Sequence, residues 1–129
     1  MADANHRCGY CQMPQVLSPI PLEIDHLVPL GAGGTDDEHN LWAACAVCNA
    51  RKGDRIRAGD PATGETAALF SPREQDWNGH FQWDETGTRA TGLTPSGRAT
   101  VEALQLNDDL AVAARARWVE GGWFPPPEG

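Results

Sequence analysis

Ile20, Leu22 and Ile24 alternate with Pro21, Glu23 and Asp25. This period of two predicts a half-buried strand, with Pro21 confined to its start or to an edge. The run ends on Asp25 and His26, and "GAGGTDDEHN" beyond it reads as an extended loop dense in glycine and short polar residues. "NLWAAC" predicts the returning strand. A short helix is predicted near Cys48 to Asp54, where Ala50, Arg51 and Lys52 favour helix and Gly53 lies near its close.

Residues 57–79 carry repeated turn signals, "AGDPATGE" and "SPREQDWNG", and read as an irregular connection. "HFQWDETGTRATGL" predicts a hairpin, with His80 to Trp83 and Thr88 to Gly92 alternating about the turn "DETG". Thr94 is the predicted N-cap of a following helix with Pro95 in its first position. Asn107 is the predicted cap of a last helix, "DDLAVAARARWVE", whose Leu110, Val112, Ala113, Ala116 and Val119 form one apolar stripe with Arg115 and Arg117 turned elsewhere. The "PPPEG" tail is read as extended, and no internal repeat is present.

The two halves of the chain differ in what can hold them together. Residues 1–58 contain all four cysteines and three of the four histidines but few aliphatic runs, too little for packing alone. Trp77, Trp83, Trp118 and Trp123, with Phe70, Phe81 and Phe124, place the large apolar area in residues 59–129, where core packing is the expected role for most of them. The expected organisation is a core over 1–58 with a C-terminal extension over 59–129, comprising a connection, a hairpin and two helices, packed on it.

Two C-x-x-C pairs, Cys8/Cys11 and Cys45/Cys48, have 33 residues between them. Each pair can present both sulfurs from one tight turn, and together they complete a tetrahedral tetrathiolate site for Zn2+. With all four positions filled by protein such an ion is structural. Its binding contributes on the order of 10 kcal/mol to the folding of small zinc domains, more than the sparse apolar side chains of this half. Ordinary buried thiols, redox pairs and, more remotely, an iron–sulfur cluster are the competing readings. No run approaches the roughly 20 apolar residues of a membrane span, and the N-terminus lacks the order of a signal peptide, so a cytoplasmic setting is expected. In that reducing setting, close cysteine pairs point to metal rather than to disulfides.

"EIDHLVPLGAGGTDDEHNLWAACAVCNARKGD", bracketed by the cysteine pairs, resembles the HNH endonuclease family, whose ββα-metal core carries D-H, then N-L, then C-x-x-C-N-x-x-K. The resemblance covers residues 8–54. The stretch from "LFSPREQ" to "LQLN" is similar to a C-terminal extension of some bacterial members. The fold class implied is α+β: a ββα-metal core stapled by a tetrathiolate zinc site, then a β-hairpin and two helices.

The activity implied is hydrolysis of DNA phosphodiester bonds, by nicking or cleavage, to leave 5′-phosphate and 3′-hydroxyl ends. His26, ordinarily titrating near pH 6.5, is the expected general base at neutral pH. Asp25 and the side-chain oxygen of Asn49 are the expected ligands of a catalytic divalent ion, Mg2+ or Mn2+, a hard cation suited to oxygen donors. Asn40 is expected to fix the loop and orient His26 without touching substrate. The three letters of the family name fall on His26, Asn40 and Asn49, with asparagine in the last place where many relatives carry histidine. Adjacent side chains on a strand point to opposite faces, so Asp25 and His26 are expected to reach one phosphate only where the strand ends and twists into the loop.

Charge modifies this picture. The net charge is −8, which argues against a nonspecific nucleic-acid coat, yet Arg51, Lys52, Arg55 and Arg57 cluster within seven residues. Arg51, Lys52 and Arg55 are neighbours on a helical turn and are the expected phosphate-binding face, Lys52 matching the family's lysine; a solvated helix surface is the plain alternative. DNA is thus the expected partner, no membrane is involved, and monomer and dimer are equally compatible with the sequence. The competing reading of the whole chain is a non-catalytic zinc-knuckle module that binds nucleic acid or protein, its loop residues being structural.

Overall fold

A computed structural model describes residues 6–126, so the tail expected to be extended at 125–129 lies partly outside the described residues. Among these residues the fold is α+β, with three separate antiparallel hairpins and four α-helices. The first hairpin pairs β1 (Glu23–His26) with β2 (Leu41–Ala44), and α1 (Ala46–Lys52) follows directly. Cys45 caps α1 by accepting from the Cys48 amide at 3.4 Å, and Gly53 closes it at a positive φ of 55° that suits glycine.

The alternation that predicts β1 has its inward face reversed. Ile20 and Ile24 are exposed, only Leu22 packs against the core, and Asp25 is the buried residue of the strand. Regular pairing begins at Glu23 and runs through Asp25↔Trp42 and His26↔Leu41, so both residues lie within the ladder. What allows a carboxylate inside is a pair of buried donors, Tyr10 and Lys52.

Residues 57–79, expected to be irregular, contain a second hairpin of β3 (Arg57–Gly59) with β4 (Thr66–Ala68), and a one-turn helix α2 (Trp77–His80). Three-residue strands of Arg, Ala, Gly and Thr carry no alternation to detect. Their stability comes from outside: Asp60 in the turn accepts from Arg98 Nε at 3.0 Å and Nη2 at 2.8 Å, and Ser96 Oγ donates to the Ala68 carbonyl at 2.7 Å. The third hairpin, β5 (Phe81–Trp83) with β6 (Ala90–Gly92), lies where the sequence predicts it. So does α3 (Pro95–Ala103), capped by Thr94 Oγ1, which accepts from Gly97 N at 3.0 Å.

The last helix, α4 (Asp109–Glu120), is capped by Asp108 and not by Asn107. Asn107 instead exchanges two hydrogen bonds with the backbone of Ala90, at 2.7 and 2.8 Å. The expected apolar stripe is also displaced, since Leu110 is 83% exposed whereas Arg115 is 2% exposed. The Arg115 guanidinium lies 5.1 Å from the Trp83 ring centroid and donates to the Thr88 carbonyl at 2.9 Å, so an aromatic face and a carbonyl draw it inward.

One core runs through both halves of the chain. Cys8, Tyr10, Cys45 and Cys48 belong to the same buried cluster as Phe70, Trp77, Phe81 and Leu104. Trp77 stacks between Phe81 and Trp83 at 4.9 and 5.0 Å, and its indole donates to the Tyr10 carbonyl at 2.8 Å. Residues after 58 thereby supply the apolar packing missing from the strand–strand–helix unit.

Candidate functional site

Two backbone turns build the thiol cluster. Tyr10 N donates to Cys8 Sγ and Cys48 N to Cys45 Sγ, both at 3.4 Å, so each C-x-x-C turn folds around its first sulfur. Gly9 lets the first turn lie on β2: its amide donates to the Ala43 carbonyl at 2.9 Å, and any side chain there would collide with Trp42 and Pro72. All four sulfurs lie within 4.8 Å of one another, with Cys11 and Cys45 3.8 Å apart. Tetrahedral coordination at a Zn–S bond of roughly 2.3 Å gives sulfur–sulfur edges of about 3.8 Å. Hydrogen bonds from Cys11, Cys48 and Cys8 pull the Cys45 thiol far below its ordinary range, while the contact with Cys45 pushes Cys11 well above it. Four sulfurs at these separations are a donor set that fits Zn2+.

The loop after β1 is closed by Asn40. Its Oδ1 accepts from Val28 N at 2.9 Å, and its Nδ2 donates to the carbonyls of Val28 at 3.0 Å and Thr35 at 2.8 Å. Leu27 N donates to the Asn40 carbonyl at 2.9 Å, continuing the ladder by one rung. The glycines serve this closure: Gly33 has φ 92°, and a side chain on Gly34 would collide with the Val28 carbonyl.

His26 and Asp25 face opposite sides of β1. The His26 ring is about one-third exposed, and its Nε2 lies 2.8 Å from Asp36 Oδ1 across the loop. Asp25 is buried, with Oδ2 accepting from Tyr10 Oη at 2.6 Å and Oδ1 from Lys52 Nζ at 3.2 Å. Burial, with the Asp25 carboxylate beside it, raises the Tyr10 phenol well above its ordinary value, so Tyr10 remains the donor. Lys52 also donates to the His26 carbonyl at 3.1 Å, tying α1 to the end of β1.

Asn49 meets a residue not anticipated from the sequence. Its Nδ2 donates to Glu23 Oε1 at 2.8 Å. The signal was present in the strand period, since Glu23 and Asp25 share a face of β1 at i and i+2. The oxygen donors expected to share one ion are therefore divided: Asn49 stands with Glu23, while Asp25 has both oxygens engaged on Tyr10 and Lys52. This arrangement does not fit a catalytic ion bridging Asp25 and Asn49.

The expected phosphate-binding face is not assembled either. Lys52 is 2% exposed and held by Asp25. Arg51 Nη1 donates to Asp108 Oδ2 at 2.6 Å and to the carbonyls of Leu104 and Gln105 at 3.2 and 3.0 Å. Arg55 Nη2 donates to the carbonyls of Arg51 and Ala103 at 2.5 and 3.0 Å. Lys52 is drawn to a buried carboxylate, whereas Arg51 and Arg55 are both drawn to the carbonyls that end α3. An open cavity of about 340 Å3 behind the loop is lined by Tyr10, Leu27, Val28, His39, Asn40 and Lys52 among others, but not by His26, Asp25 or Asn49. His80, left without a role by the sequence, bonds Thr94 Oγ1 through Nδ1 at 2.7 Å beside the α3 cap.

Residues 8–55 match the HNH endonuclease family. This stretch of the chain is an HNH domain. It contains both cysteine pairs, β1, β2, α1 and every candidate site residue named from the sequence. Over 102 residues the chain is 32% identical to the CRISPR-associated endonuclease Cas9 of Corynebacterium diphtheriae, a match covering 78% of this chain and 9% of that protein. The chain thus spans a small part of that relative's length. No solved structure matches the chain. No helix among the described residues is long and apolar enough to cross a membrane.

Proposed function

We propose that this chain is a metal-dependent HNH endonuclease that hydrolyses DNA phosphodiester bonds, with His26 as the general base. The observation that carries the reading is His26 itself: inside the HNH segment, its ring stands partly exposed at the end of β1, with Nε2 held and no hydrogen-bond partner for Nδ1 among the described residues. A neutral imidazole in that state can take a proton from water at Nδ1.

The chain's own groups then divide the work. Asn40 fixes the loop over His26, and Lys52 fixes the backbone beneath it through the His26 carbonyl. Asp25 holds the Lys52 ammonium in place, so its part in this reading is to orient β1 against α1. The side-chain carbonyl of Asn49 and the carboxylate of Glu23 are the surface oxygen donors near that junction. A bound Mg2+ or Mn2+ would supply charge neutralisation for the phosphate under attack. The four-cysteine cluster, loaded with Zn2+, would keep the N-terminal turn on α1, and residues 59–129 would act as the packed support of the nuclease core.

Conversion of supercoiled plasmid to nicked or linear product in Mg2+ or Mn2+ tests the proposal. His26→Ala should abolish product while zinc content and fold persist. Undiminished cutting by that variant removes the assignment of the base, and no cutting by the wild type under either ion favours a binding module.

A further inference from the structure

We infer that Asp36 is the positioning residue of the His26 imidazole, and that Asn40 acts on the ring through it. The inference rests on the reading of His26 as the base. Asp36 lies in the glycine-rich loop, ten residues after His26, and nothing in the spacing of the HNH letters draws attention to it. In the structure its Oδ1 is 2.8 Å from His26 Nε2.

The chemistry of that contact fixes the ring. An ionised carboxylate is acceptor-only, so Nε2 carries the proton and donates, and the neutral ring presents its lone pair at Nδ1. The same bond restrains rotation of a side chain that is otherwise partly exposed. A ring with its acidic nitrogen anchored and its basic nitrogen free is oriented for proton abstraction from one direction.

The loop is built to deliver this carboxylate. Asn40 Nδ2 donates to the carbonyl of Thr35, the residue immediately before Asp36. Thr35 Oγ1 donates to Asp37 Oδ2 at 3.0 Å and accepts from Asp37 N at 3.3 Å, so the backbone is pinned on both sides of Asp36. The Asn40 side chain bonds the loop backbone at Val28 and Thr35 and not the ring, so its effect travels through Thr35 to Asp36. That path gives physical form to the expectation that Asn40 orients His26.

Asp36→Ala, Asp36→Asn and Asp36→Glu separate the outcomes in the zinc-loaded chain. Imidazole 15N shifts, recorded without Mg2+ or Mn2+ where the ring is neutral, should show one Nε2–H tautomer for His26 in the wild type. Asn and Glu still offer an acceptor oxygen and should keep it, whereas Ala should give mixed tautomers. In plasmid nicking, Asp36→Ala should lower kcat by about tenfold or more with KM little changed, and Asp36→Glu should restore most of it. A single Nε2–H tautomer together with wild-type kcat in Asp36→Ala overturns the inference. The ring signal is read independently of cutting, so a wild type that shows the tautomer but never nicks would overturn the nuclease reading alone.

Discussion

Lys52 Nζ lies 3.2 Å from Asp25 Oδ1 with both side chains almost wholly out of solvent. The pair links α1 to β1, and it is closed by Tyr10 Oη on the other carboxylate oxygen and by the His26 carbonyl on the ammonium. Desolvating two charges is costly, and the mutual attraction offsets that cost only because each remaining polar atom has a partner. Removing one member leaves the other buried and uncompensated. Lys52→Ala should destabilise the fold by roughly 3–5 kcal/mol, read as a lower midpoint in denaturant with zinc content unchanged. The double variant Lys52→Met with Asp25→Asn should recover part of that loss. A Lys52→Ala protein as stable as the wild type would show the ammonium to be free in solution, as a phosphate-binding lysine would be.

The four sulfurs make a second prediction. The cluster brings Cys8 and Cys11 to the start of α1, with Cys8, Cys45 and Cys48 part of the buried core. Purified chain should hold about one tightly bound zinc. Stripping it under reducing conditions, or Cys48→Ser, should unfold at least the first hairpin and α1, since the ion contributes on the order of 10 kcal/mol in small zinc domains. Circular dichroism alongside metal analysis checks this. Retention of helical signal after full zinc loss would transfer the stabilising role to the aromatic packing of Trp77 and Phe81.

The four sulfurs show where local pattern suffices. The cysteine frame, β2, the β5–β6 hairpin and the Thr94 cap are written in local spacing, so pattern alone finds them. Lys52 is different: a lysine near a helix end reads as surface, and its burial depends on Asp25 and Tyr10, which are 27 and 42 positions away in the chain. Arg115 and Asp36 fail to stand out for a related reason, because their partners, Trp83 across the fold and His26 across the loop, are not their neighbours in sequence. The β3–β4 hairpin escapes notice because Asp60 and Arg98, not a strand pattern, hold it.

Asp60 gives a pH-dependent prediction. Its carboxyl is held down to about 2 from an ordinary 3.8, chiefly by the hydrogen bond from Arg98, with the Ala62 amide adding to the effect. A depressed folded-state value means that the proton binds more readily to the unfolded chain, so the stabilisation is complete above about pH 4 and disappears as pH falls toward 2. Asp60→Asn should therefore be less stable than the wild type at neutral pH, and the difference should shrink steadily between about pH 4 and 2. Comparing the two proteins at each pH cancels the common effect of acid on the thiolates. A difference that does not change with pH would place the Asp60 contribution in its turn geometry and not in its charge.

Arg51 separates the two roles open to a basic residue on α1. It donates to Asp108 at 2.6 Å and to the carbonyls of Leu104 and Gln105, and Asp108 in turn caps α4 through the Ala111 amide at 2.8 Å. Arg51 thus joins the HNH helix to the end of α3 and the start of α4. Arg51→Ala should cost about 1–2 kcal/mol of stability, the range for a few partly exposed, charge-assisted hydrogen bonds. Its effect on duplex affinity should be small, and the slope of log affinity against log salt should not move. A residue neutralising a phosphate behaves in the opposite way, leaving stability nearly constant and reducing the slope by roughly 1. With a net charge of −8 and Lys52 and Arg55 also engaged internally, the whole slope should itself be shallow. A steep slope that falls on Arg51→Ala would mean that this arginine leaves Asp108 when DNA arrives.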